Sequence, residues 1–414
     1  MKTVLTAVLF ALFPRELPAQ EFPAADMRSI TLAEACSLSL AKSEQLAQQG
    51  EGIKQLEAAE RLLNAAFRPS FDVNASQYKQ QNSPSVTKGY LSGSYSLFSG
   101  MRDYISVKAA SAFTRAAELD LDRARQRLYL DVAQAYLYLL TAQREVLIRR
   151  EQLEVTGKRI AEIEARVRIG RSRKSEAVAI KAQLAQDKAG YLNAAAGERL
   201  AQQALMFLTG LDRDLLPAGI PLHRDAALDF YLKAALSRPD LAARRKLLEV
   251  SGYLLDVQDR NLWPAVTLSA NYYVLRDPMP APVNRWDGTL ALRIPLYDGG
   301  AAPARRQAAY SAKRSAALAL QLAERQALTE VRSAYEEYKY SALQTASLEE
   351  AMVLASENAA YQQEDYKLGL VTNLDVLNAL NTVQQTRLAL SQAHLAEVWT
   401  LLKLESAAGL EMKK

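Results

Sequence analysis

The sequence predicts a mainly α-helical protein with a small β part. Long antiparallel coiled-coil helices join four strands of bilayer-crossing length, and the whole is laid out as two copies of one unit. Three observations carry this expectation. The 14 prolines and 17 glycines among 414 residues cluster, leaving long stretches rich in alanine, leucine, glutamine and arginine, a helix-forming mixture. In two pairs of short segments a period of two replaces the helical period. Turn motifs recur at a constant offset, the mark of an internal repeat.

The repeat sets the organisation. Leu97-Phe98-Ser99-Gly100 corresponds to Leu296-Tyr297-Asp298-Gly299, an offset of 199 residues (296 − 97). Ala135-Tyr136 matches Ala334-Tyr335, Ile169-Gly170 matches Leu368-Gly369, and Gly210-Leu211 matches Gly409-Leu410 in the same register. One residue of slippage would rotate a helical face by about 100°, so constant register implies two superposable units packed alike. Upstream the offset is 195 residues, as in Pro69 and Pro264 (264 − 69). The length change therefore falls between Pro69 and Leu97, where a surface loop tolerates it. The expected divisions are residues 1–19, a signal peptide; 20–211, the first repeat; 212–228, a linker; and 229–414, the second repeat.

Each repeat reads as short helix, hairpin, very long helix, turn, long helix. A first short helix is expected over Leu32 to Ala47. The very long ones are expected over Arg102 to Val167 and Pro303 to Lys367, each reaching roughly 100 Å at about 1.5 Å per residue. A three-four seam, Leu121, Ala124, Leu128, Val132, Ala135, Leu139, Ala142 and Val146, predicts coiled-coil packing. Arg123, Arg125 and Arg127 fall on other faces, read as solvated. The helical tips are expected near residues 170 and 369.

The strands are expected at about 70–78, 89–97, 265–275 and 286–296, joined by loops Gln81 to Lys88 and Asp277 to Asn284. Apolar and polar residues alternate along them, as in Val266, Leu268, Ala270 and Tyr272 against Thr267, Ser269 and Asn271. Tyr78, Tyr90, Tyr95, Tyr272, Tyr273 and Trp286 suit interfacial belts. Four strands cannot close a barrel, since about eight is the small end, and lipid tolerates no open edge. Either the sheet is a soluble cap or several chains pool strands; a water-filled pore favours three chains over two.

Lys2, the apolar run Thr3 to Phe13 and Leu17-Pro18-Ala19 before Gln20 predict an export signal. Beyond it no apolar stretch is long enough for a membrane helix. The single cysteine, Cys36, excludes an internal disulfide framework and is expected to be buried. His223 and His394 lie far apart, so no metal-ligand spacing arises. The net charge of +5 is mild and no run of five like charges occurs, which argues against nucleic-acid binding. No phosphate-binding glycine loop or Ser/His/Asp arrangement appears, so neither a cofactor nor an enzymatic reaction is expected.

Local motifs then resemble one family. Ala235-Leu236-Ser237-Arg238-Pro239-Asp240-Leu241 and, more weakly, Leu40-Ala41-Lys42-Ser43-Glu44-Gln45-Leu46 open the two repeats. Arg68-Pro69 and Trp263-Pro264 precede the strands, and Gly100 and Gly299-Gly300 follow them, where glycine suits the sharp turn from strand into helix. The stretch Tyr366-Lys367-Leu368-Gly369-Leu370-Val371-Thr372-Asn373-Leu374-Asp375-Val376-Leu377 looks like a periplasmic helix-turn-helix tip. In order and in duplication the chain resembles the TolC family of outer-membrane factors.

That resemblance implies a homotrimer with a shared twelve-stranded outer-membrane barrel and a twelve-helix periplasmic tunnel. It implies a passive exit duct for efflux or type I secretion. Its partners would be a periplasmic adaptor (membrane fusion) protein, an inner-membrane RND, ABC or MFS pump, and outer-membrane lipid. Asp375 matches an acidic position at the tunnel entrance, while Asn378 and Val371 replace the acid and arginine that accompany it in the family, so a polar latch involving Tyr366 is expected to be rearranged. Asp375 equally suits a first-turn carboxylate. Arg166, Arg168, Arg171, Arg173 and Lys174 around Gly170 make the first tip basic, and with Gly369 and Thr372 of the second tip they are the candidate adaptor contacts. The competing reading is a soluble periplasmic coiled-coil scaffold or adaptor, which leaves the strands and the duplication without a purpose.

Overall fold

A computed structural model describes residues 28–220, 226–276 and 284–410. The expected signal peptide, His223 and nearly all of the second hairpin loop lie outside these residues. In chain order the elements are β1 (Arg28–Ile30), α1 (Leu32–Lys42), α2 (Glu44–Asn64), β2 (Ser70–Tyr78), β3 (Val86–Phe98), α3 (Arg102–Arg168) and α4 (Lys174–Thr209). There follow β4 (Leu215–Pro217), α5 (Leu228–Ala235), α6 (Pro239–Asp259), β5 (Ala265–Arg276), β6 (Trp286–Arg293), α7 (Ala301–Leu368) and α8 (Asn373–Ala407). Among the described residues no helix is long and apolar enough to cross a membrane.

The two longest helices, α3 and α7, have 67 and 68 residues, so each runs about 100 Å. Both are entered through two consecutive left-handed residues. Gly100 and Met101 have φ of 67° and 63°, and Gly299 and Gly300 have φ of 70° and 87°. That pair reverses the chain from strand into helix. At Gly100 a Cβ would lie 2.7 Å from Trp263 Cβ, so glycine is required there for space as well as for conformation. Pro69 and Pro264 immediately precede β2 and β5, where a missing N–H breaks no ladder bond.

Several expected boundaries move. The helix predicted over Leu32 to Ala47 breaks at Ser43, whose ψ of 108° is extended and whose side chain accepts from Leu46 N; an N-cap starts α2 there. β3 begins at Val86, which shortens the first hairpin loop. β6 stops at Arg293 rather than residue 296, because Pro295 has no N–H to donate to a ladder. The segment expected as a linker contains β4, which pairs in parallel with β1.

That small sheet anchors the main core. Ile30, Cys36, Val132, Tyr136, Leu139, Ala201, Leu205 and Leu215 bury together, drawing on α1, α3, α4 and both short strands. The Tyr136 hydroxyl lies 2.9 Å from Ile30 O and 2.8 Å from Ala218 O. Burial pushes its phenol up to about 12, so it remains a donor at physiological pH. Tyr136→Phe is expected to lower stability by about 1 kcal/mol, seen as a lower midpoint of thermal unfolding in detergent. Of the predicted seam, Val132, Leu139 and Ala142 are buried, as are Ala327, Val331, Ala334 and Thr345 of the second copy.

The solvated reading fails for Arg123, which is 7% exposed. It lies where the C-terminus of α8 meets the N-terminus of α6, and its Nη1 donates to Ser406 O at 2.9 Å. Beside it Arg238 forks onto Asp240 at 3.0 and 2.7 Å. Arg238 also reaches Glu330 Oε2 at 2.7 Å and Ala407 O at 3.0 Å. Two guanidinium groups thus meet the negative end of one helix dipole and an acid in the first turn of the next helix.

Candidate functional site

The large sheet has strand order β2-β3-β5-β6, all neighbours antiparallel. Residues paired directly across strands share a face, and the register sorts them by polarity. Val73, Leu91, Tyr272 and Trp286 form one row; Phe71, Gly93, Ala270 and Gly288 form another. On the opposite face Asp72, Ser92, Asn271 and Asp287 align, as do Ser70, Ser94, Ser269 and Thr289. The polar face is cross-linked by Asn74 Nδ2 to Ser92 Oγ at 2.8 Å and by Asn271 Nδ2 to Asp287 Oδ1 at 2.9 Å. The apolar face is bare: Val73 is 85% and Leu290 67% exposed. Among the described residues, strands β2 and β6 have no outer neighbour. The sheet therefore has one apolar face, one polar face and two open edges, the two-faced alternation of a strand set that meets hydrocarbon on one side and water on the other.

At the other end both long hairpins turn on a left-handed glycine, Gly170 at φ 71° and Gly369 at φ 80°. Arg171 N donates to Arg166 O, and Leu370 N to Asp365 O, both at 2.9 Å, the wide bond of a Schellman stop. The second tip then starts α8 with a capping box. Thr372 N and Oγ1 donate to Asp375 Oδ2 at 2.8 and 2.6 Å, and Asp375 N returns a bond to Thr372 Oγ1 at 3.4 Å. These bonds from Thr372 hold the Asp375 carboxyl below the usual carboxylate range. The contribution of the box is therefore present above the ordinary carboxylate pKa and lost as pH falls through the lowered value. Asp375 and Asn378 remain exposed.

The two tips are joined through Arg159 and Asn373, which the sequence reading did not single out, together with Tyr366 and Arg166, which it did. Arg159 Nε and Nη2 donate to Asn373 Oδ1 at 3.0 and 2.9 Å. The same guanidinium lies 5.1 Å from the Tyr366 ring centroid, and Arg166 lies 4.7 Å from it. Asn373 is 2% exposed. Ile163, Ile180 and Leu377 pack against the same Tyr366 in a small apolar cluster. Arg387 and Glu151 add an exposed ion pair between α8 and α3. Arg166 is thus drawn into the joint, also pairing with Glu162 at 3.2 Å, while Arg168, Arg171, Arg173 and Lys174 stay exposed, as do Gly170, Gly369 and Thr372.

Residues 35–211 and 231–410 both match the sequence profile described as "Outer membrane efflux protein". The chain belongs to the outer membrane efflux protein family. The profile matches the chain twice, at 35–211 and 231–410. The outer membrane efflux protein BepC of Brucella suis biovar 1 (strain 1330) is 23% identical over 320 residues, 76% of this chain and 70% of its own. Among solved structures, the outer membrane protein VceC of Vibrio cholerae superposes with a TM-score of 0.81 at 21% identity, covering 92% of this chain and 97% of its own. The Campylobacter jejuni CmeC outer membrane channel gives 0.81 at 19% identity, covering 91% and 85%.

This outer membrane efflux protein is therefore a channel subunit of the outer membrane, with its long helices extending into the periplasm. The family is one of transport channels rather than enzymes. A soluble scaffold or adaptor is excluded by membership, and the bare apolar sheet face acquires its solvent. Arg159, Asn373 and Arg123 escaped the sequence reading for one reason: their partners are 214 and 283 residues away, beyond any local pattern.

Proposed function

We propose that three copies of this chain pool their four-stranded sheets into one twelve-stranded outer-membrane barrel, continued by a helical tunnel. The carrying observation is the sheet with one apolar face and two unpaired edges. A lipid-exposed edge is not tolerated, and three sheets of four strands give an even-stranded barrel wide enough for water inside. The complex is a passive exit duct for efflux. A periplasmic adaptor links it to an inner-membrane RND, ABC or MFS pump that supplies cargo and energy. The native mass of the protein extracted in mild detergent tests the assembly: a three-chain particle is expected, and a monomer recovered without detergent overturns it.

At the tunnel entrance, Arg159, Tyr366 and Asn373 act as a latch between the two hairpins of one subunit, replacing the arginine that Val371 lacks. Asp375, exposed beside it, serves as both a capping carboxylate and one third of an acidic ring that favours cations. Arg168, Arg171, Arg173 and Lys174, with Gly170, Gly369 and Thr372 alongside, form the face that receives an acidic adaptor tip. Changing those four cationic residues to glutamine is expected to weaken adaptor binding at low salt and flatten its salt dependence. Surface plasmon resonance at two salt concentrations reads both effects; unchanged affinity removes the basic tip from the interface.

A further inference from the structure

The two hairpins differ in what lies between their helices. Inside the α3–α4 pair sits Asp187, 4% exposed. Its Oδ1 accepts from Gln152 Nε2 at 2.8 Å and Gln183 Nε2 at 2.9 Å, and its Oδ2 from Thr156 Oγ1 at 2.7 Å. Gln152 and Thr156 belong to α3 and are 9% and 8% exposed. In the second repeat the positions 199 residues on (351 − 152) are Ala351, Ala355, Thr382 and Thr386, with no carboxylate among them. Among the described residues, no buried side chain bonds α7 to α8 on the tip side of the Ser341–Thr400 contact.

An alanine- and leucine-rich seam alone sets register weakly, because sliding one helix by a turn replaces one small apolar contact with another. A buried carboxylate behaves differently. Moved by a turn, Asp187 would leave both cross-helix donors while staying out of water, and an unsatisfied buried charge is strongly disfavoured. We infer that Asp187 is the register lock of the α3–α4 hairpin, a positioning residue that fixes where the basic tip sits relative to the tunnel wall. The lock does not depend on what docks at the tip.

The test uses the full chain in detergent, with Cys36→Ser as background and cysteine pairs at exposed or half-buried sites joined by a short bis-maleimide. Glu164 Oε1 and Lys181 Nζ lie 2.8 Å apart across the hairpin, so Glu164→Cys with Lys181→Cys, bridged by that reagent, reports the native register. Glu164→Cys with Ala177→Cys or with Ala185→Cys reports a displacement of one turn. With Asp187 present only the native pair is expected to cross-link. With Asp187→Leu the ratio of displaced to native product is expected to rise at least about tenfold, the low end for losing the two charge-assisted hydrogen bonds across the hairpin. Asp187→Asn, which keeps an acceptor for Gln152 and a donor for Thr156, is expected to restore the native pattern. An Asp187→Leu protein that folds and cross-links only in the native register overturns the lock. Where that variant does not fold, Gln152→Leu with Thr156→Val takes its place, and native-only cross-linking overturns it equally.

Discussion

Arg238→Ala is expected to lower the stability of the folded chain by about 3 kcal/mol, the range for removing one partner from a buried ion pair. Arg238 is 4% exposed and holds three things at once: the Asp240 carboxylate, Glu330 and the Ala407 carbonyl. Glu330 is half exposed, so its share is small; the loss comes from Asp240 and the helix end. Arg238→Lys keeps the charge but not the fork, and is expected to recover only part. Unfolding midpoints of the three proteins in one detergent decide this, and an alanine variant as stable as the parent would refute the assignment. The same cluster responds to acid. Burial alone would raise the Asp240 pKa, but hydrogen bonds and charge from Arg238 outweigh it, and the net shift is downward. Its stabilisation is therefore present above the ordinary carboxylate pKa and disappears as pH falls through the lowered value. Arg238→Ala should flatten that acid limb.

On the proposed reading of the tip, Arg159→Ala is expected to open the channel. It removes two charge-assisted bonds to one buried acceptor and a cation–π contact, together about 3 kcal/mol. If those contacts exist only in the closed arrangement, the ratio of open to closed shifts by about a hundredfold. Time-averaged conductance in planar bilayers should rise accordingly, with Asn373→Ala intermediate because Arg159 keeps its stacking on Tyr366. Parental conductance in both variants would assign these contacts to packing alone.

The long helices and their pairing were legible because a seam sustained over many turns and a constant repeat offset are global patterns. The two-faced sheet was legible for the same reason: alternation survives in every strand. What escaped was local or distant. The break at Ser43 depends on one side chain choosing to cap, and the end of β6 on one proline. The burial of Arg123 could not be read from α3, where it sits among Arg125 and Arg127 as an apparent surface charge. Its environment is made by Ser406 and Asp240, delivered by the second repeat. At the tip, the basic residues were visible as a cluster, but the engagement of Arg166 with Tyr366 required the hairpins to be placed side by side.

The open edges of β2 and β6 bear on how the protein comes into being. A lone subunit carries hydrocarbon-loving rows and unspent backbone donors and acceptors along two strand edges, yet offers the bilayer nothing it can accept. If three chains share one barrel as proposed, insertion follows association. The helices, whose cores close within one chain, can fold first and bring subunits into register while the strands wait in water. Strand joining and entry into lipid would then be one concerted, concentration-dependent event, and the vulnerable moment in the life of this channel is the interval before its neighbours arrive.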